Sequence, residues 1–366
     1  MRYITKMVKY SCEQCGKEFS QKYHYDSHKK RKTPCKNNAD KIKELVDKAV
    51  EEKIKELKEI LNVNLINERP VNECNKNTMN TEPQKVIKYI DLFCGMGSFH
   101  YSFKKLGFKC VMSCDIYQPA KKNYKINYDM DILGDIVTID PSTIESYDIL
   151  CAGFPCQPFS QAGYHKGFED SRGTMFSQVM KFVEKNSPKI VILENVRALL
   201  NHDNGKSFLK IKNDLEGQGY IVLHKVLKCS DYGIPQMRKR LFIVGFKHVD
   251  VDQSNFFNLS DYEKTTTLTD YLGKNFKKDT AYTIRCGGRR SPINDRHNWD
   301  GYWIDDNTEY RLTIEDGLKL QGFNNYNFGG TKAHKWKMLG NTIPTIFTEM
   351  IGKQILKHTS LLHSHM

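Results

Sequence analysis

The stretch Ile87-Lys88-Tyr89-Ile90-Asp91-Leu92-Phe93-Cys94-Gly95-Met96-Gly97-Ser98-Phe99 runs from an apolar strand through a turn with two glycines into a helical run that ends at Gly107. Strand, glycine turn and helix make the opening unit of a nucleotide-binding α/β domain, because small residues let backbone N–H groups approach a ligand closely. The next strand, Cys110 to Cys114, ends in Asp115, about 20 residues downstream, where a carboxylate can accept hydrogen bonds from a ribose. Asp135-Ile136 closes a third unit, offering an acceptor and an apolar face to an adenine. Read without a ligand, both acids are ordinary polar strand ends.

Further along, Tyr147 to Ala152 reads as a short buried strand that delivers Gly153-Phe154-Pro155-Cys156-Gln157-Pro158-Phe159-Ser160 at its carboxyl end, where open α/β sheets build their sites. Pro155 and Pro158 restrict the backbone on either side of one thiol, so Cys156 is presented on a turn; the competing reading is a buried, inert cysteine. Val191-Ile192-Leu193 then leads into Glu194-Asn195-Val196, another acid at a strand end. In Gln236-Met237-Arg238-Lys239-Arg240-Leu241, the alternating Arg238 and Arg240 share one side of a strand entrance and suit a phosphate or a carbonyl.

The chain has 366 residues, 39% of them hydrophobic, enough to bury a large core. A formal net charge of +13 favours a polyanionic partner, nucleic acid before others. No apolar run is long enough to span a membrane, and the basic start Met1-Arg2-Tyr3 lacks the apolar core of a secretory leader, so an intracellular protein is expected. The 11 cysteines are scattered and odd in number, which suits thiols and metal ligands better than a disulfide frame.

Cys12-x2-Cys15-x3-Phe19-x5-Tyr25-x2-His28 carries the spacing of three ligands and two core aromatics of a ββα zinc finger, which it resembles. The fourth ligand departs from that pattern: Cys35 follows His28 where a histidine is usual. Zinc held by Cys12, Cys15, His28 and Cys35 is the expectation for residues 1–38. Ile42, Leu45, Val46, Ala49, Val50, Ile54, Leu57 and Leu61 recur at helical steps, so residues 39–61 are expected to form a helix, either a spacer or a short coiled coil through which a largely monomeric protein could pair. Residues 62–85, rich in Asn, Glu and Lys with two prolines, read as a linker.

Taken together and in order, DLFCGMGSF, GFPCQPFS, GFEDSRG, ENV, QMRKR and MLGNTIP resemble the motifs of the cytosine-C5 DNA methyltransferase family over roughly residues 86–356. The resemblance implies an α/β, Rossmann-like methyltransferase domain (86–246 and 311–356) with a small target-recognition lobe (247–310), acting on double-stranded DNA with S-adenosylmethionine. It places Phe93, Gly95, Gly97 and Ser98 around the methionine end of that cofactor, Asp115 and Ile116 at the ribose, Asp135 and Ile136 at the adenine, and Pro155, Met175 and Asn341 around the remainder. Ser98 stands where a glycine is frequent, and Asp115 where Glu is usual. Cys156 is the implied nucleophile, with Glu194, Arg238 and Arg240 as its catalytic partners. Ser160, Arg285, Arg289, Arg290 and Arg296 are the candidate DNA contacts. A tRNA-directed member of the family and an inactive nucleic-acid-binding relative are the alternatives.

Overall fold

The computed structural model describes residues 10–12, 17–30, 86–155, 175–305 and 307–359. They belong to two compact units, Met1–Asn80 and Thr81–Met366. In the first, β1 (Tyr10–Ser11) and β2 (Glu18–Phe19) pair antiparallel and are followed by α1 (Lys22–Lys29). Phe19 packs on Tyr25 and on the ring of His28, with centroids 6.1 and 5.0 Å apart. Cys12 and His28 are buried. Cys15, Cys35, the helix expected over 39–61 and the linker lie outside the described residues.

The second unit is built on a six-stranded sheet in the order β4-β3-β5-β6-β8-β7. Its strands are β3 (Lys88–Leu92), β4 (Lys109–Cys114), β5 (Ile149–Ala152), β6 (Ile190–Val196), β7 (Ile221–Lys228) and β8 (Lys239–Phe246). β4, β3, β5 and β6 are mutually parallel, and β8 runs against both its neighbours. The central strands are near-continuous apolar runs because both faces are covered, which leaves no polar side to alternate with. One face carries the cluster of Ile90, Leu92, Leu150, Phe176, Phe182 and Leu193; the other carries Tyr89, Phe99, Phe103, Ile149, Ile192, Phe242 and Phe347.

Helices α2 (Ser98–Phe103), α3 (Gln118–Tyr128), α4 (Met175–Asn186) and α5 (Lys206–Gly217) connect the strands. α4 shows how sequence dictates placement: Phe176, Val179, Met180, Phe182 and Val183 recur at helical spacing and are all buried. After β8 come α6 (Leu268–Leu272), the hairpin β9 (Gly301–Ile304) and β10 (Thr308–Arg311), and then α7 (Ile314–Leu320), α8 (Lys332–Asn341) and α9 (Thr345–His358). α9 returns to α2 through buried hydroxyls: Thr348 Oγ1 donates to Ser98 O at 3.0 Å, and Ser102 Oγ to Thr345 O at 3.0 Å. No helix among the described residues is long and apolar enough to cross a membrane.

Candidate active site

From β3 the chain crosses to β4 on one side and then returns to β5 on the other, so a crevice opens at the carboxyl ends of these strands. Strand register makes that edge level. Leu92 pairs with Cys114 and with Ala152, and Ala152 pairs with Leu193. The residues that follow in the four strands, Phe93, Asp115, Gly153 and Glu194, therefore stand side by side. They line one cavity of about 810 Å³.

The floor of the cavity is the turn after β3, where Phe93, Gly95 and Gly97 take φ of 60°, 54° and 77°. For Phe93 this left-handed conformation costs roughly 1–2 kcal/mol, which the packed surroundings must offset. Asp115 holds the turn: its carboxylate accepts from Gly95 N at 2.9 Å and from Tyr117 N at 2.7 Å. Burial pushes its pKa up, against those two N–H donors. Asp135 likewise accepts from Val137 N at 3.0 Å. Asp91, at the end of β3, is fully buried with one carboxylate oxygen lacking a partner, and it too lines the cavity.

Glu194 lies in β6 opposite Phe242 of β8, two residues before the strand ends at Val196. Arg240 Nε lies 2.7 Å from Glu194 Oε1, both side chains being largely buried. Burial raises the Glu194 pKa, and the neighbouring Arg240 and Arg238 pull it back. Asn195 Nδ2 donates to Phe154 O at 3.1 Å, tying the end of β6 to the turn that leads to Pro155. Arg238 is wholly buried and donates to three backbone carbonyls, Ile284 O at 3.1 Å, Gly340 O at 2.8 Å and Thr342 O at 2.7 Å. Burial and the neighbouring Arg240 lower its pKa to about 9.

Of the residues expected around a cofactor, Phe93, Gly95, Ser98, Asp115, Ile116, Asp135, Ile136, Pro155, Met175 and Asn341 line the cavity. Gly97 does not; a Cβ there would lie 2.5 Å from the Tyr128 ring and 2.8 Å from that of Tyr124, so its bareness serves ring packing. Ser98 spends its hydroxyl on Ile343 O at 2.6 Å and Thr342 Oγ1 at 3.0 Å. Tyr117, Lys337 and Thr342 also line the cavity, and none was singled out from sequence. Lys337 Nζ sits 4.4 Å from the Tyr117 ring centroid, a pairing across 220 residues that no local pattern announces. Cys156, Ser160 and the segment up to Thr174 lie outside the described residues; Pro155, one peptide bond before Cys156, is at the cavity wall.

The arginines expected to meet DNA separate into two kinds. Arg285, Arg290 and Arg296 are exposed. Arg289 is not available in the same way: its Nε lies 3.2 Å from buried Asp300, and its guanidinium lies 4.4 Å from the Trp336 ring centroid. Sequence could not distinguish it from Arg290, because only the fold turns Asp300 and Trp336 toward one guanidinium and not the other.

The sequence profile of the C-5 cytosine-specific DNA methylases matches residues 87–286. The Type II methyltransferase M.DsaV of Dactylococcopsis salina is 32% identical over 313 residues, 76% of this chain and 88% of its own. The Type II methyltransferase M.HpaII of Haemophilus parainfluenzae is 37% identical over 359 residues, covering 84% of this chain and 100% of its own. The crystal structure of the S. pombe Dnmt2 methyltransferase shares the fold with a TM-score of 0.60 over 74% of this chain and 99% of that one, at 15% identity. With its level row of site residues at the sheet's carboxyl edge and these matches, the chain belongs to the family of C-5 cytosine-specific DNA methylases.

Proposed function

We propose that the protein methylates C5 of cytosine in duplex DNA, using S-adenosylmethionine, within a short recognition sequence, as a Type II modification enzyme. The observation that carries the reading is the buried Glu194–Arg240 pair beside the cofactor-sized cavity, one strand away from the turn that leads to Cys156. The cavity suits the cofactor's mixed chemistry. Asp115 retains lone pairs for ribose hydroxyls, Asp135 and Ile136 offer an acceptor and an apolar wall, and the buried carboxyl of Asp91 lines the same cavity. When bound, S-adenosylmethionine supplies an electrophilic methyl group.

Cytosine C5 is too weak a nucleophile by itself, so the Cys156 thiolate adds to C6 and pushes electron density toward C5. A carboxyl whose pKa burial has raised is suited to share a proton with the ring N3, and Glu194 fills that role while Arg240 holds it and the base carbonyl. Arg238 acts on the backbone: by gathering the carbonyls of Ile284, Gly340 and Thr342 it fixes Asn341 against the cavity. After the methyl group reaches C5, a base takes the C5 proton, and the electron pair left behind re-forms the C5–C6 double bond and expels the Cys156 thiolate. Because C6 is inaccessible inside a base stack, the target nucleotide must be extruded. Among the described residues Arg285, Arg290 and Arg296 form no ion pair, and their exposed guanidinium groups are the ones available to bases or phosphates in the recognition lobe, residues 247–310.

Transfer of tritiated methyl groups from S-adenosylmethionine to duplex DNA and to total tRNA, with Cys156→Ser alongside, tests this reading. Label is expected in DNA with wild type and none with the variant, which should still bind the cofactor. Label in tRNA alone, or near-normal turnover by Cys156→Ser, refutes it. We further infer that the amino-terminal unit holds one zinc ion through Cys12, Cys15, His28 and Cys35. Its ββα order and the burial of Cys12 and His28 support this, although among the described residues no group of three or more His, Cys, Asp or Glu gathers. Metal emission from the full chain at one zinc per molecule is the expected result.

A further inference from the structure

Away from the cavity, Arg289, Arg290, Arg311, Lys332 and Lys335 converge with Glu315 on an open cleft of about 540 Å³. We propose that this cleft grips a backbone phosphate of the DNA duplex, a contact that rests on the DNA-methylating function proposed above and adds a second point of purchase to it.

Two of the five cations are structural. Asp300, fully buried, faces Arg289 Nε at 3.2 Å and Arg311 Nη1 at 3.1 Å, and Arg311 also pairs with Glu309. With Arg289 lying on the Trp336 ring and Trp336 packed edge-on to Trp299 at 5.3 Å, these groups make a rigid floor. The other three, Arg290, Lys332 and Lys335, have no carboxylate partner among the described residues. Asp300 and Glu309 thus answer Arg289 and Arg311, which leaves Glu315 as the one carboxylate lining the cleft with Arg290, Lys332 and Lys335, the last with its Nζ 5.7 Å from the Phe328 ring centroid.

Arg290 adds an independent observation. Its φ of 70° lies in the left-handed region, where glycine is at ease and arginine is not, and its backbone N–H is held there by Asp300 Oδ1 at 3.1 Å. A long cationic side chain at a position that favours glycine fits a use for that side chain at the cleft rim. The cleft and the cofactor cavity share one helix. Lys335 and Lys332 precede Asn341 on α8 by about 9 and 14 Å along the helix axis. Flexible ammonium groups act as point charges and discriminate poorly between bases, so the contact should be independent of sequence.

The test uses the full chain, a fluorescently labelled duplex and anisotropy titrations over a series of NaCl concentrations. Lys332→Ala/Lys335→Ala and Arg290→Gly are the variants; the glycine removes the charge and accepts the backbone conformation. Affinity is expected to fall alike for cognate and non-cognate duplexes, and the slope of log Kd against log salt to drop by about one for each phosphate-binding cation removed. Variants that unfold like wild type and retain its affinity and salt slope overturn the proposal. A loss confined to the cognate duplex also overturns it, since it would mean base reading. If wild type binds duplex with this slope but transfers no methyl group, the function proposed above fails and the cleft stands.

Discussion

Gly340→Ala puts two opposed effects in competition at the junction between α8 and the recognition lobe. Gly340 is the penultimate residue of α8, so alanine should gain helix propensity, at most about 1 kcal/mol. Against this, a Cβ at 340 would lie 2.4 Å from Cys286 N, 2.5 Å from Arg285 C and 2.8 Å from Cys286 Cα, all backbone atoms that cannot rotate away. Relieving the contact means separating the two segments by about 1 Å, an overpacking cost of about 1–3 kcal/mol. The same displacement would stretch bonds that cross the junction: Arg238 to Gly340 O at 2.8 Å and to Thr342 O at 2.7 Å, and the Cys286 Sγ contact with Asn341 Oδ1 at 2.9 Å. Each bond from the charged guanidinium is worth about 1.5–3 kcal/mol. With partial relaxation, the clash wins by about 2–3 kcal/mol. Because Asn341 moves too, turnover should fall by up to about 100-fold. Gly317→Ala in α7 is the comparison: its Cβ would meet Leu339 Cδ1 at 2.8 Å and the Trp336 ring at 3.1 Å, buried side chains rather than backbone, so it should also destabilise, but without moving Asn341. Urea unfolding measures the loss of stability, tritiated methyl transfer the loss of turnover, and isothermal titration with S-adenosylmethionine the cofactor affinity. A Gly340→Ala protein as stable as wild type, with equal cofactor affinity, would refute the claim that this junction positions Asn341.

Three further outcomes are expected. Glu194→Gln preserves shape but removes the titratable proton, so single-turnover methylation should slow by about 100- to 1,000-fold while cofactor affinity stays; an unchanged rate would remove Glu194 from the chemistry. His100, buried and bonded through Nδ1 to Tyr124 Oη at 2.8 Å, has its pKa lowered from 6.5 to about 4 by burial, with Lys104 adding to the effect. The unfolded chain then takes up the proton first on acidification, so stability present above pH 6.5 is lost as pH falls toward 4, by up to about 3 kcal/mol, and His100→Phe should flatten that limb in urea midpoints taken across the range. Asp91 has the opposite sign: burial, then Asp115, raises its pKa, so its stability is intact below the ordinary carboxylate range and declines as pH rises. Asp91→Asn should abolish that decline, about 1.4 kcal/mol per pH unit within the window, and equal Tm profiles from about pH 4 to 8 would count against it.

Much of the fold was legible because its signals are local. Each of Phe93, Asp115 and Glu194 follows an apolar run, and the position after a buried strand is a good guess for a sheet's carboxyl edge. Their mutual alignment was not legible, since register depends on pairings between strands that contain no mark of it. Arg238 and Arg240 look equivalent in sequence, two residues apart on one strand entrance. The structure gives one a carboxylate and the other three carbonyls from 46 to 104 residues away. Arg289 and Arg290 separate for the same reason: Asp300 and Trp336 capture only the first guanidinium, and neither is local enough to read.

The bonds from Ser98 to Ile343 and from Thr348 back to Ser98 join the first turn of the cavity to the last segment of the chain, 245 and 250 residues later. During synthesis at about 5–20 residues per second, Ser98 therefore waits roughly 12–50 seconds for its partners. All six strands of the sheet are made well before that, but one of its faces stays uncovered until α9 brings in Phe347, Met350, Ile351 and Ile355. One helix thus completes both the core and the cofactor wall, and a chain cut short near residue 340 should lose stability together with methyl-donor binding.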